Sequence, residues 1–277
     1  MTLAAHPAMP YAAAMSSRPT ALILTAAGIN CDHELVEAFE LAGAEAVPVH
    51  LTRLIREPDM IDDFDLIGLP GGFSYGDAIA AGRILATMLN GHIIDHLRAA
   101  IDRGVPMIAP CNGFQIAVQA GLLPGPWTDA PARTEAALLE NDGGRFVDRW
   151  VRVEYPQSRC VWTQGLQSAG AAAMLPIAHG EGRFHASDET MRQLEDDGRI
   201  AVRYAVDDDP NGSRGRVAGI CDHTGLVFGL MPHPERYVSW KQHPMWTRLD
   251  EQRGDTPGLQ MFHAAVAHVQ TAGVTAP

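Results

Sequence analysis

Two short stretches of this chain carry residue types that do covalent chemistry. The first is Ala109-Pro110-Cys111-Asn112-Gly113. The apolar run Val105-Pro106-Met107-Ile108 before it reads as a short buried strand, and Phe114-Gln115-Ile116-Ala117-Val118 after it reads as a helix start. A cysteine at a strand-to-helix turn, with small residues two positions away on each side, is how α/β enzymes present a nucleophile. Ala109 and Gly113 let the backbone fold sharply, and the helix aims its first N–H groups at the sulfur, a setting that favours a thiolate. The second stretch is Met231-Pro232-His233-Pro234-Glu235-Arg236. A cysteine nucleophile needs a base for its proton and a group to orient that base. Prolines at 232 and 234 are expected to hold this segment extended, so that His233 and Glu235 project to one side.

A third segment, Leu69-Pro70-Gly71-Gly72-Phe73-Ser74-Tyr75-Gly76-Asp77, offers glycines where backbone N–H groups could approach a ligand, or simply a tight turn. A phosphate loop is excluded because Asp77 stands where that motif has Lys followed by Ser or Thr. Gly72-Phe73-Ser74-Tyr75-Gly76 also matches the G-x-S-x-G serine elbow, so a serine hydrolase using Ser74 is the rival reading. Against it, no HGGG-like loop lies upstream and few strands precede Ser74. His92 and His96 lie four apart near Asp95, but no third metal ligand accompanies them, and a helix surface explains them. Gly180-Glu181-Gly182 lacks the third glycine of a dinucleotide fingerprint. Cys31, in Gly28-Ile29-Asn30-Cys31-Asp32, reads as a packing residue, since one His-x-Glu pair does not serve two cysteines.

Placing these segments requires a regular scaffold. Ala21–Leu24, Ala46–Val49, Asp65–Leu69 and Val105–Ala109 read as strands. Asp32–Ala42 and a long pattern from about Ile79 to Ile101 read as helices. Such alternation means a parallel sheet with helices on both faces. In the second half, Phe146–Tyr155, Arg199–Tyr204, Val217–Cys221 and Leu226–Leu230 read as strands, the last two joined through Asp222-His223-Thr224-Gly225 as a hairpin. A terminal helix follows Pro257-Gly258. No repeat or linker interrupts the chain, so residues 20–277 are expected to form one domain and residues 1–19 a disordered extension without signal-peptide character.

Composition narrows the partners. With 277 residues the chain can bury a full core. A formal charge of −12 argues against nucleic-acid or anionic-membrane surfaces. No apolar run approaches the roughly 18 residues of a membrane span. The four cysteines show no metal-like spacing and read as reduced thiols of a cytoplasmic protein.

Together these segments resemble the class I (triad) glutamine amidotransferases, and among them the glutaminase subunits of phosphoribosylformylglycinamidine synthase. The resemblance runs from about Thr20 to near the C-terminus. Its carriers are Gly28–Asp32, Pro70–Asp77, Cys111–Gln115, Ala120–Gly125, Pro176–Arg183, Pro210–Ser213 and Met231–Arg236. The cysteine and His-Pro-Glu elements are shared across class I. Gly-Phe-Ser-Tyr-Gly-Asp and His-Gly-Glu-Gly-Arg narrow it to the purine-pathway subunits. The chain departs from the family at Ala109-Pro110, where Gly-Ile or Gly-Val is usual, and at Ile29, where a small hydroxyl residue is common. Its N-terminal extension and the Ser239–Arg253 segment exceed a minimal subunit.

The resemblance implies an α/β fold, class I glutamine amidotransferase-like, with a central mostly parallel sheet flanked by helices and a short antiparallel portion in the C-terminal half. It implies hydrolysis of the L-glutamine side-chain amide by Cys111, His233 and Glu235, with ammonia passed to a large synthetase subunit. That partner converts formylglycinamide ribonucleotide to formylglycinamidine ribonucleotide in de novo purine biosynthesis, usually together with a small accessory subunit. Gly71, Gly72 and Asn112 would form the oxyanion and substrate-binding loop, and Gln115 a pocket wall. His179, Glu181 and Arg183 would line the pocket or face the partner. No metal or other cofactor is implied on this chain, ATP and Mg being used by the synthetase. The alternatives are a class I glutaminase serving a GMP or CTP synthetase, an interaction module that has lost its chemistry, and the Ser74 hydrolase.

Overall fold

The computed structural model describes residues 18–127, 136–166, 173–248 and 254–272. The first half runs β1 (Thr20–Thr25), α1 (Asp32–Leu41), β2 (Glu45–His50), α2 (Leu51–Arg56), β3 (Leu66–Gly68), α3 (Arg83–His92), α4 (Ile94–Asp102), β4 (Met107–Pro110) and α5 (Asn112–Gln119). The second half runs β5 (Ala136–Leu139), β6 (Val147–Glu154), β7 (Ala173–His179), β8 (Arg183–Ala186), α6 (Asp188–Asp196), β9 (Ile200–Tyr204), β10 (Val217–Cys221), β11 (Val227–Leu230) and α7 (Pro257–Ala272).

Nine strands form one sheet in the order β2-β1-β3-β4-β11-β10-β9-β6-β7, and β5 pairs with β8 in a separate two-stranded sheet. The strands from β2 to β11 pair in parallel, and the pairings from β11 to β7 are antiparallel. Residues Ala21–Leu24 are buried throughout, as a strand covered on both faces must be. Helices α2 to α5 pack on one face. On the other, Phe39 of α1 meets Phe262 of α7 at 5.2 Å and Trp162 at 6.1 Å between ring centroids. β10 and β11 form the expected hairpin, and the Asp222 carboxylate caps its turn by accepting from the backbone N–H groups of Thr224 and Val227.

Two features differ from the sequence expectation. The helix expected over 79–101 is two helices, α3 and α4, separated at Ile93 with φ −133° and ψ 3°. Ile93, Ile94 and Leu97, at and after that break, are all buried. The antiparallel portion is also larger than expected, because β7 adds an edge strand and β5 and β8 form their own pair. Apart from Arg18 and Pro19, the 1–19 extension lies outside the described residues. No helix among the described residues is long and apolar enough to cross a membrane.

Candidate active site

Four loops leave the C-terminal ends of β1, β3, β4 and β11 and meet at one edge of the sheet, where parallel α/β sheets collect ligands. Cys111 follows β4 with φ 51° and ψ −110°, a left-handed conformation held by the surrounding structure. Its N–H donates to the Leu230 carbonyl at 2.7 Å, which anchors the turn on the β11 side although Pro110 has no N–H to give. The small-residue requirement is visible at Gly113, where a Cβ would lie 2.0 Å from the Leu69 carbonyl oxygen.

His233 and Glu235 lie on the loop after β11, both 1% exposed. Nδ1 of His233 is 2.6 Å from Oε1 of Glu235, which fixes the tautomer with a proton on Nδ1 and leaves Nε2 for the thiol side. The pair does not lie on an extended segment as expected. Pro234–Arg236 is a single 3₁₀ turn, and the turn itself brings the carboxylate back to the ring. Helix α7 buttresses it, since a Cβ on Gly258 would lie 2.3 Å from the Pro234 carbonyl oxygen. Burial pushes the His233 ring towards its neutral form, but the Glu235 carboxylate and the Cys111 thiol outweigh it and raise its pKa well above the ordinary value.

Gly71 sits between the reactive groups. A Cβ there would be 3.0 Å from Cε1 of His233, 3.3 Å from Sγ of Cys31 and 3.4 Å from Cβ of Cys111. Gly72 has φ 132°, and a Cβ would be 2.7 Å from the Asn30 nitrogen, so only glycine fits. Asn112 ties this loop to α5. Its Oδ1 accepts from the Ser74 N–H at 3.1 Å, and its Nδ2 donates to Oε1 of Gln115 at 2.8 Å. Gln115 in turn donates to the Glu181 carbonyl at 2.5 Å.

A cavity of about 140 Å³ opens onto Cys111, with Gly72, Asp77, Gln115, His179 and Glu181 in its wall. A wider hollow of about 670 Å³ adjoins it, sharing Phe146, Gly180 and Glu181. Asp77 was read from sequence only as the end of a motif, yet its carboxylate faces this space. Burial raises its pKa, opposed by the Gly82 N–H and reinforced by nearby Glu181. Arg183 points elsewhere. It pairs with Asp142 at 3.2 Å and donates to the Glu140 carbonyl at 2.9 Å. The Ser74 hydroxyl is buried without a hydrogen-bond partner among the described residues, so it lacks the base a serine nucleophile needs. His92 and His96 belong to no three-ligand cluster among the described residues.

His179 is held by Asn141, whose Oδ1 takes the Nδ1 proton at 3.1 Å and whose Nδ2 donates to the His179 carbonyl. Gly182 makes room for the ring, since a Cβ would lie 2.3 Å from it. Burial first, and repulsion from His233 second, lower its pKa to about 4. The unfolded chain takes up this proton near pH 6.5, while the folded chain resists until about pH 4. The stability contributed by neutral His179 is therefore complete above pH 6.5 and is lost as pH falls through about 4, by up to roughly 3 kcal/mol. In denaturant midpoints measured from pH 7 to pH 4, His179→Asn should remove this acid slope relative to wild type. An unchanged slope would refute the assignment.

The loop after β1 supplies a group that the sequence reading set aside. Cys31 is not simply a packing residue. Its sulfur accepts from Nη2 of Arg236 at 3.1 Å, and Arg236 also pairs with Glu34 at 3.4 Å. Sγ of Cys31, a ring nitrogen of His233 and a carboxylate oxygen of Glu235 all lie within 4.8 Å of one another. The one available signal was positional, because Cys31 follows a parallel strand just as Cys111 does.

A nucleophile elbow, a buried imidazole–carboxylate pair and a glycine loop around a small cavity are suited to acyl transfer from a small amide. The comparisons agree with that geometry. Residues 18–269 match the CobB/CobQ-like glutamine amidotransferase domain. The chain is 40% identical over 259 residues to the phosphoribosylformylglycinamidine synthase subunit PurQ of Dehalococcoides mccartyi, covering 90% of this chain and 97% of that one. It is 36% identical over 269 residues to the subunit PurQ of Methanococcus maripaludis, with 90% and 97% coverage. A chain in the structure of PurLQS from Thermotoga maritima superposes with a TM-score of 0.70 at 32% identity, covering 90% of this chain and 98% of that one. The chain belongs to the glutamine amidotransferases, in the family that holds the PurQ subunits of phosphoribosylformylglycinamidine synthase.

Proposed function

We propose that this chain is the glutaminase subunit of a phosphoribosylformylglycinamidine synthase. The observation that carries the chemistry is the 2.6 Å His233–Glu235 contact, buried beside a cysteine at a left-handed strand–helix turn. His233 takes the Cys111 proton and the sulfur attacks the glutamine amide carbon. Charge on the amide oxygen is met by the N–H groups of Gly72 and Asn112, each donor contributing roughly 10²–10³ in rate. His233 then returns the proton to the leaving nitrogen, releasing ammonia and a γ-glutamyl thioester. Water, deprotonated by the same ring, cleaves the thioester to glutamate and restores the thiol. The Asp77 and Glu181 carboxylates give the cavity a negative wall suited to the substrate α-ammonium group, and Gln115 closes one side.

Ammonia passes to a large synthetase subunit that uses ATP and Mg to make formylglycinamidine ribonucleotide, with a small accessory subunit completing the complex. The hydrolytic step in this reading uses no cofactor on this chain, and a cytoplasmic biosynthetic role goes with it. The test is reconstitution with the synthetase and accessory subunits. Glutamine should support formylglycinamidine ribonucleotide synthesis with one glutamate released per product. Selective coupling to a GMP or CTP synthetase instead would overturn the assignment of partner, and no glutamate release with any of them would overturn the chemistry.

A further inference from the structure

We propose that Cys31, His233 and Glu235 form an inhibitory binding site for Zn²⁺, which shuts off the glutaminase by occupying its base and orienting carboxylate. A thiolate, an imidazole and a carboxylate are the donor set that zinc takes in proteins. Their ligand atoms lie within 4.8 Å of one another and all three residues are buried. Tetrahedral zinc, with bonds of about 2.0–2.3 Å, places its ligand atoms roughly 3.3–3.8 Å apart, so the His233–Glu235 pair, now 2.6 Å apart, opens around the ion while the Cys31 sulfur closes by up to about 1 Å. Two buried polar atoms of the cluster, Nε2 of His233 and Oε2 of Glu235, have no hydrogen-bond partner among the described residues. Gly71 lies between the cluster and Cys111, a Cβ there falling 3.3 Å from the Cys31 sulfur and 3.4 Å from Cβ of Cys111.

Arg236 faces the cluster through its contact with the Cys31 sulfur, and it also pairs with Glu34. Its guanidinium donates to the Cys31 sulfur, as outer hydrogen-bond donors do to metal-bound ligands. Catalysis uses Cys111 and not Cys31, which leaves Cys31 free to set metal sensitivity separately from turnover.

The binding measurement uses zinc alone, in competition with a chromophoric chelator, on the full chain. Cys111→Ala should still bind one equivalent, and adding Cys31→Ser to it should weaken that binding by about 100-fold. The inhibition measurement rests on the glutaminase reading and uses the reconstituted complex. Cys31→Ser should keep basal glutaminase within about 3-fold of wild type and need at least 10-fold more zinc for half-inhibition, while ammonia-driven synthesis stays insensitive. Cys31→Ala serves as the second variant should the serine chain fail to fold. Equal zinc affinity with and without the Cys31 thiol would overturn the proposal, as would no binding to Cys111→Ala. Neither outcome touches the glutaminase assignment, which is read from glutamate release without zinc.

Discussion

A Cys111→Ala chain should release glutamate from glutamine at a rate lower by on the order of 10⁴- to 10⁶-fold, in complex with its synthetase. The amide carbon loses its only positioned nucleophile, and water at the same point lacks both the sulfur's reactivity and its fixed distance from the oxyanion donors. Ammonia supplied directly should still drive the synthetase, because that step belongs to another subunit. The backbone adds a second readout. Cys111 sits at φ 51°, where alanine is as strained as cysteine but glycine is not. Cys111→Gly should be equally inactive yet melt at or above Cys111→Ala, by up to about 1 kcal/mol in stability. Glutamate release near the wild-type rate by either variant would remove Cys111 from the mechanism.

What could be read in advance followed from how local each feature is. The elbow at Cys111 is written in consecutive residues: an apolar strand, two small neighbours and a helix start. The His233–Glu235 pair spans only two positions, so it survives even though the segment turns in 3₁₀ form rather than running extended. The parallel strands β1, β3 and β4 are short apolar runs closed by glycine or proline, a pattern that burial on both faces imposes.

The unread features depend on meetings between distant segments. Strand β7 contains Pro176 and ends at His179 just before Gly180, a composition that gives no strand signal, but an edge strand of a sheet tolerates proline. The break at Ile93 leaves no proline or cap in the sequence, because it is set by how α3 and α4 share the core. Cys31 is the most instructive case. Nothing within Gly28–Asp32 indicates a histidine 202 positions away, and only the sheet order, with β1 beside β3 and β3 beside β4, brings its loop to theirs. Asp77 was missed for the same reason, since its carboxylate gains meaning only opposite Glu181.

His233→Asn carries the other large expected effect. Asparagine keeps the ring's approximate bulk but can neither accept the Cys111 proton nor return it to the departing nitrogen, and an amide anion leaves poorly. The glutaminase rate should fall by on the order of 10³- to 10⁶-fold. Because sulfur and ring act as one unit, the double variant Cys111→Ala/His233→Asn should be no slower than the worse single variant within about 10-fold, rather than showing the product of both losses. The same substitution removes the ring that holds Glu235, leaving a buried carboxylate without its hydrogen-bond donor. Glu235→Gln introduced into His233→Asn should therefore recover stability, measured as a rise in melting temperature, although Glu235→Gln alone lowers it by breaking the 2.6 Å contact. Fully additive losses in both rate and stability would mean that Cys111, His233 and Glu235 are neighbours without being coupled, and the triad assignment would fail.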